Sequence, residues 1–102
     1  MSILDHNLVP ENLDSFWMPF TSHRQFKNNP RFIVAADGMY YEDSNGHQVL
    51  DGAAGLWCVN AGHRRETINK AISDQLSRLD FAHNFNTGHP LAFHYAERLV
   101  RH

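Results

Sequence analysis

The sequence holds a single cysteine, Cys58, so no internal disulfide can form and a reducing compartment is its natural home. No apolar run is long enough to cross a bilayer. The first twenty residues carry Asp5, Glu11 and Asp14 where a secretory signal would be continuously apolar. Nine basic residues are interspersed with eleven acidic ones for a formal charge of −2, which leaves neither a nucleic-acid stripe nor a polybasic membrane anchor. A cytoplasmic protein with no membrane or nucleic-acid partner is expected. Gly-x-Gly-x-x-Gly, the P-loop and the Gly-x-Ser-x-Gly elbow are all missing. His6, His23, His47, His63, His83, His89, His94 and His102 show no zincin-like i, i+4 pair, so they read as scattered surface and loop residues and no metal site is expected. Cys58 lies among apolar neighbours, a setting that raises a thiol pKa and argues against a nucleophile. These residues do not supply a complete active site.

What is present fits one small domain at most, since the chain has 102 residues. Residues 1–30 form a polar arm bearing Phe16, Trp17, Phe20 and Phe26, interrupted by Pro10, Pro19 and Pro30, and they read as irregular. Phe32–Ala36 then reads as a strand, Asp37-Gly38 as a two-residue hairpin connection, and Met39–Asp43 as the returning strand. Ser44-Asn45-Gly46 turns the chain again and Gln48–Asp51 completes a three-stranded antiparallel meander.

Two helices follow. Ile68, Ala71, Ile72, Leu76 and Leu79 recur at spacings of three and four, which predicts a helix over Arg65–Leu79 with Glu66, Lys70, Ser73 and Ser77 on its far side. Pro90 opens the second helix, because the N–H it lacks would be unpaired at that position anyway. Leu91, Ala92, Tyr95, Ala96 and Leu99 share its apolar face, and His94, Glu97, Arg98 and Arg101 face outward. No glycine cap or breaker precedes His102. Three short strands and two helices bury little area, so the chain reads as the opening portion of a larger protein.

Between sheet and helices, Val49–His63 is the most informative stretch. Gly52, Ala53, Ala54 and Gly55 are small enough for their backbone to lie close against something else. Leu56, Trp57 and Cys58 then bring large apolar side chains, and Gly62-His63 leads into the first helix. A tryptophan on such a loop either lines a pocket or plugs a core.

Several separated blocks resemble one family. Trp17-Met18-Pro19-Phe20-Thr21-Ser22-His23-Arg24-Gln25-Phe26 is similar to the N-terminal arm of the ω-amino acid–pyruvate (β-alanine–pyruvate) aminotransferases. So are Leu50-Asp51-Gly52, Gly55-Leu56-Trp57-Cys58, Gly62-His63 and Asp80–Pro90, in the same order and from about Leu13 onward. These are class III, fold type I enzymes dependent on pyridoxal 5'-phosphate. The resemblance implies an incomplete α/β fold: an arm over 1–30, the N-terminal half of a small domain over 31–79, and over 80–102 the connection and first helix of a large cofactor domain. It implies amino transfer from an ω-amino acid or amine, such as β-alanine, to pyruvate, in a homodimer or homotetramer. Residues matching Leu56 and Trp57 line the family's substrate pocket, and those matching Phe20 and Phe85 close it near the subunit interface. Such an apolar wall excludes water and so favours proton transfer from the substrate Cα.

The family's catalytic half has no counterpart here. Schiff-base chemistry needs a desolvated lysine. Only Lys27, before an exposed-looking Asn28-Asn29-Pro30 turn, and Lys70, on a polar helix face, are present. No catalytic and no cofactor-binding residue is therefore assigned. Two expectations follow: an N-terminal fragment of such an aminotransferase, inactive by itself, whose partner is the remainder of the chain; or a non-catalytic module or vestigial fragment that docks onto an intact homologue.

Overall fold

The computed structural model describes residues 9–102. Asp5, His6 and the rest of the first eight residues of the expected arm lie outside the described residues. The chain divides into two compact units, Met1–Arg65 and Glu66–His102.

In the first unit, the arm departs from the irregular path expected of it. A six-residue helix, α1, forms over His23–Asn28. Pro19 and Pro30 leave this interval free of proline, and extended Ser22 starts the turn by accepting the Phe26 N–H at 2.9 Å. Pro30 ends it, because the residue before a proline is pushed out of the helical region and Asn29 adopts φ −147°, ψ 71°. His23 Nε2 bonds the Met18 carbonyl at 3.0 Å and its ring lies 4.3 Å from that of Trp17. Phe26 meets Phe32 edge to face at 5.7 Å, which ties the helix to the entry of the sheet.

The sheet is the expected antiparallel meander, in the order β1 (Ile33–Asp37), β2 (Tyr40–Asp43) and β3 (Gln48–Leu50). Ala36, Tyr41 and Val49 are in register across the three strands and form its half-buried row. Asp43, two residues beyond Tyr41, shares that face. The first connection falls one residue later than expected, on Gly38-Met39, with Asp37 still paired to Tyr40. Gly38 takes the positive φ (+57°) that a tight hairpin demands at its first central residue. The second connection is organised by Asp43, whose Oδ1 accepts the N–H groups of Asn45 and His47, both at 2.9 Å. β3 stops at Leu50 rather than Asp51, although the Asp51 N–H still reaches the Met39 carbonyl at 2.9 Å. A single helical turn, α2 (Ala54–Trp57), follows.

The second unit holds α3 (Glu66–Leu76) and α4 (Pro90–Arg101). α3 is shorter at both ends than the expected Arg65–Leu79. Its last turn loosens where Ser77 Oγ bonds back to the Ser73 carbonyl, and the Arg78 and Leu79 N–H groups both crowd onto Gln75 O. The Gln75 side-chain amide closes this end by donating to Leu79 O at 3.0 Å. α4 begins at Pro90 as expected, and His89 caps it by accepting the Leu91 N–H on Nδ1 at 3.1 Å. α3 and α4 do not pack on each other. Ile68, Ile72 and Leu76 on α3, and Leu91, Tyr95 and Leu99 on α4, remain exposed. No helix among the described residues is long and apolar enough to cross a membrane.

Candidate functional site

The Gly/Ala-rich loop after β3 winds left-handed. Ala54, Gly55, Leu56 and Trp57 have φ values of +50°, +57°, +59° and +68°. With ψ at 38° and 58°, Gly55 and Leu56 sit in the left-handed helical region. The turn is nonetheless hydrogen-bonded: the N–H of Trp57 donates to Ala53 O at 2.9 Å, and those of Cys58 and Val59 both donate to Ala54 O at 2.8 and 2.9 Å. In this conformation Cβ crowds the following carbonyl, at roughly 1–2 kcal/mol for each non-glycine residue. Ala54, Leu56 and Trp57 all carry that strain.

A carboxylate holds the turn in place. Asp51 Oδ2 accepts the Gly55 N–H at 2.8 Å, and Oδ1 accepts the Ala53 N–H at 3.2 Å. His63 Nε2 lies 2.7 Å from Oδ2, and since an ionised carboxylate only accepts, Nε2 carries the hydrogen. Both side chains are well covered, Asp51 to 6% exposure and His63 to 12%. Burial pushes the Asp51 carboxyl up, but hydrogen bonds from His63, Tyr41 and the Ala53 and Gly55 amides outweigh it and hold the acid below its ordinary value. Tyr41 is raised, first by burial and then by its hydrogen bond to Asp51 and the charge of that carboxylate, so its phenol stays protonated. The Tyr41 and His63 rings lie 4.6 Å apart.

Two contacts explain the local sequence. A Cβ on Gly55 would come within 3.0 Å of Val59 Cγ2 and 3.2 Å of the Tyr41 hydroxyl, so a side chain there would force both neighbours to give way in addition to resisting the positive φ. What the small loop approaches closely is thus the chain's own Tyr41. His63 is itself fixed by its backbone, which exchanges both hydrogen bonds with Gly38, at 2.7 and 3.2 Å.

The turn presents Leu56 and Trp57 outward, at 68% and 81% exposure. These two of the four expected pocket residues are brought together by the turn. Phe20, also at positive φ (+49°), stands on the arm as a wholly exposed ring. Phe85, in the second unit, is exposed beside His83, with ring centroids 5.8 Å apart. Cys58 is exposed rather than set among apolar groups, and its thiol faces the Leu56 carbonyl at 3.4 Å. Lys27 lies on α1, which takes in Asn28 of the expected turn, and is ion-paired with Asp14; Lys70 pairs with Asp74 at 2.7 Å. Sequence reasoning missed Asp51, His63 and Tyr41. One signal for the first was available: an aspartate at a strand end that bonds backbone two residues on.

The profile of the family described as aminotransferase class-III matches residues 21–102. An omega-aminotransferase of Caulobacter vibrioides is 52% identical over 90 residues, covering 88% of this chain and 20% of that relative. An omega-amino acid–pyruvate aminotransferase of Pseudomonas putida is 47% identical over 88 residues, covering 86% of this chain and 20% of its own length. Among solved structures, an amine transaminase from an uncultivated Pseudomonas species, in its pyridoxal-phosphate-bound form, superimposes with a TM-score of 0.80 at 36% identity, over 89% of this chain and 21% of that one. The chain thus spans about a fifth of the length of the curated relatives it matches. Across that fifth the likeness of sequence and of fold agree, and the chain belongs to the class-III aminotransferases, a pyridoxal-phosphate-dependent family.

Proposed function

We propose that this chain is the N-terminal segment of a transaminase that moves an amino group from an ω-amino acid or amine to pyruvate, giving alanine. In this reading residues 1–30 are an arm, 31–79 half of a small domain, and 80–102 the connection and first helix of the large domain. The full enzyme is a cytoplasmic homodimer or homotetramer. Leu56 and Trp57 form a wall of the amine site, and Phe20 and Phe85 close it. The observation that supports the reading is the left-handed turn, which sets Leu56 and Trp57 side by side on a strained backbone.

Bound pyridoxal phosphate supplies the electron sink for such chemistry. The residues here do not fit that group by themselves, because both lysines are engaged in ion pairs with nearby carboxylates and neither is a desolvated amine. The segment by itself is therefore inactive in this reading, and its role is to shape the space in which the amine is held.

The test is Trp57→Ala in the complete aminotransferase polypeptide. An exposed wall residue costs within about 0.5 kcal/mol of stability, whereas a fully buried tryptophan costs about 3–5 kcal/mol. The expected result is a shift in the ratio of kcat/KM toward a bulky aryl amine over a short ω-amino acid, with unfolding free energy nearly intact. A large loss of stability with unchanged relative selectivity would return Trp57 to the core.

A further inference from the structure

We propose that Asp51, with His63 and Tyr41, is a positioning group that fixes the left-handed turn so that Leu56 and Trp57 stand in one defined place against the amine. This rests on the pocket-wall reading above and assigns how the wall is held.

Ala54, Leu56 and Trp57 hold positive φ values that such residues resist, so the conformation needs a group that imposes it. The Asp51 carboxylate is the group in place to impose it. It takes one N–H before the turn, from Ala53, and one within it, from Gly55. Its remaining hydrogen bond, with His63 at 2.7 Å, aims it, and the Tyr41 ring lies 4.6 Å from that of His63. His63 is set by its backbone pairing to Gly38, and Tyr41 by the β2 ladder between β1 and β3. The position of Trp57 is in this way referred back, through one carboxylate, to the rigid sheet. A wall held so can discriminate amines by shape. The same side chains on a mobile loop would yield to a bulky one.

The experiment uses the complete aminotransferase polypeptide with Asp51→Asn, which keeps the shape of the side chain and removes its charge and one acceptor. Two quantities are read: the kcat/KM ratio for a short ω-amino acid against a bulky aryl amine, and hydrogen exchange at the Gly55, Trp57 and Cys58 amides. The ratio is expected to move toward the bulky amine by about tenfold, inside the ~100-fold that a 1 Å misplacement can cost. KM for the short substrate rises more than kcat falls, exchange at the three amides quickens, and Tyr41→Phe moves both readouts the same way by less. If both stay at wild-type values while Trp57→Ala moves the ratio, the positioning role is overturned and the wall stands. Exchange that quickens with the ratio unmoved also overturns it, leaving Asp51 a purely structural group. Should Asp51→Asn fail to fold, His63→Gln and Tyr41→Phe decide by the same criteria. If Trp57→Ala itself leaves the ratio alone, the wall reading falls and takes this role with it.

Discussion

The turns after β2 and β3 are built with the same device and used differently. Each is anchored by a covered aspartate, Asp43 at 4% exposure and Asp51 at 6% side-chain exposure. Each carboxylate accepts two backbone N–H groups, from Asn45 and His47 in one case and Ala53 and Gly55 in the other. Each also meets a histidine, four residues on for Asp43 and twelve for Asp51, at 3.2 and 2.7 Å. At Asp43 the one positive φ falls on Gly46, so the chain relaxes into the turn it is given. At Asp51 a run of four positive φ values falls mostly on residues that resist them. Carboxylate anchoring therefore closes a hairpin in one place and holds a strained left-handed turn in the other.

Glycine substitution should separate the two turns most widely. Gly55→Ala meets both the positive-φ penalty, roughly 1–2 kcal/mol, and overlap with Val59 and Tyr41 worth typically about 1–3 kcal/mol. Gly46→Ala meets only the first, since nothing lies within 4 Å of its Cβ position. Urea unfolding of the complete polypeptide should rank Gly55→Ala clearly below Gly46→Ala; equal losses would mean that the close approach at Gly55 is not maintained.

Acid should then affect both anchors alike. The Asp51 carboxyl lies below its ordinary value of 3.8 because its hydrogen bonds outweigh burial, and that of Asp43 is lowered chiefly by the His47 and Asn45 amides. Each folded-state pKa is below the unfolded one. The stability they contribute is thus fully present above the unfolded value and is lost as pH falls through the folded value beneath 3.8. Unfolding measured across that acid window should steepen in the wild type and flatten in Asp43→Asn and Asp51→Asn. A wild type as flat as the variants would mean that the carboxylates are not anchors. The smallest effect belongs to Asp43→Asn on specificity: the short-to-bulky amine ratio should stay at its wild-type value, and a shift like that of Asp51→Asn would erase the distinction between the turns.

Much of the sheet and of α4 was legible because the signals are local. Alternating side chains bounded by Asp-Gly and Asn-Gly specify a meander, and Pro90 marks a helix start by its own chemistry. Even there the hairpin connection lies one residue later than Asp37-Gly38, with Asp37 paired to Tyr40. α1 is not legible in the sequence because its six residues are too few to show an apolar period and no side chain caps its start. The left-handed turn was illegible for a deeper reason. Ala54, Leu56 and Trp57 have no intrinsic preference for positive φ, and the conformation is dictated by a carboxylate and a histidine twelve residues apart. The resemblance implies a pocket role for Leu56 and Trp57, while the hydrogen bonds around Asp51 emerge only from the fold.

Exposed hairpin tips are ordinarily where a chain tolerates added or lost residues. The β1–β2 tip is not free in this way. Gly38 gives both its N–H and its carbonyl to His63, so the length of a solvent-facing loop is bound to the placement of a tryptophan nineteen positions further along the chain. An insertion at that tip would therefore disturb the backbone pairing that sets His63, although the tip's exposure alone would not announce it.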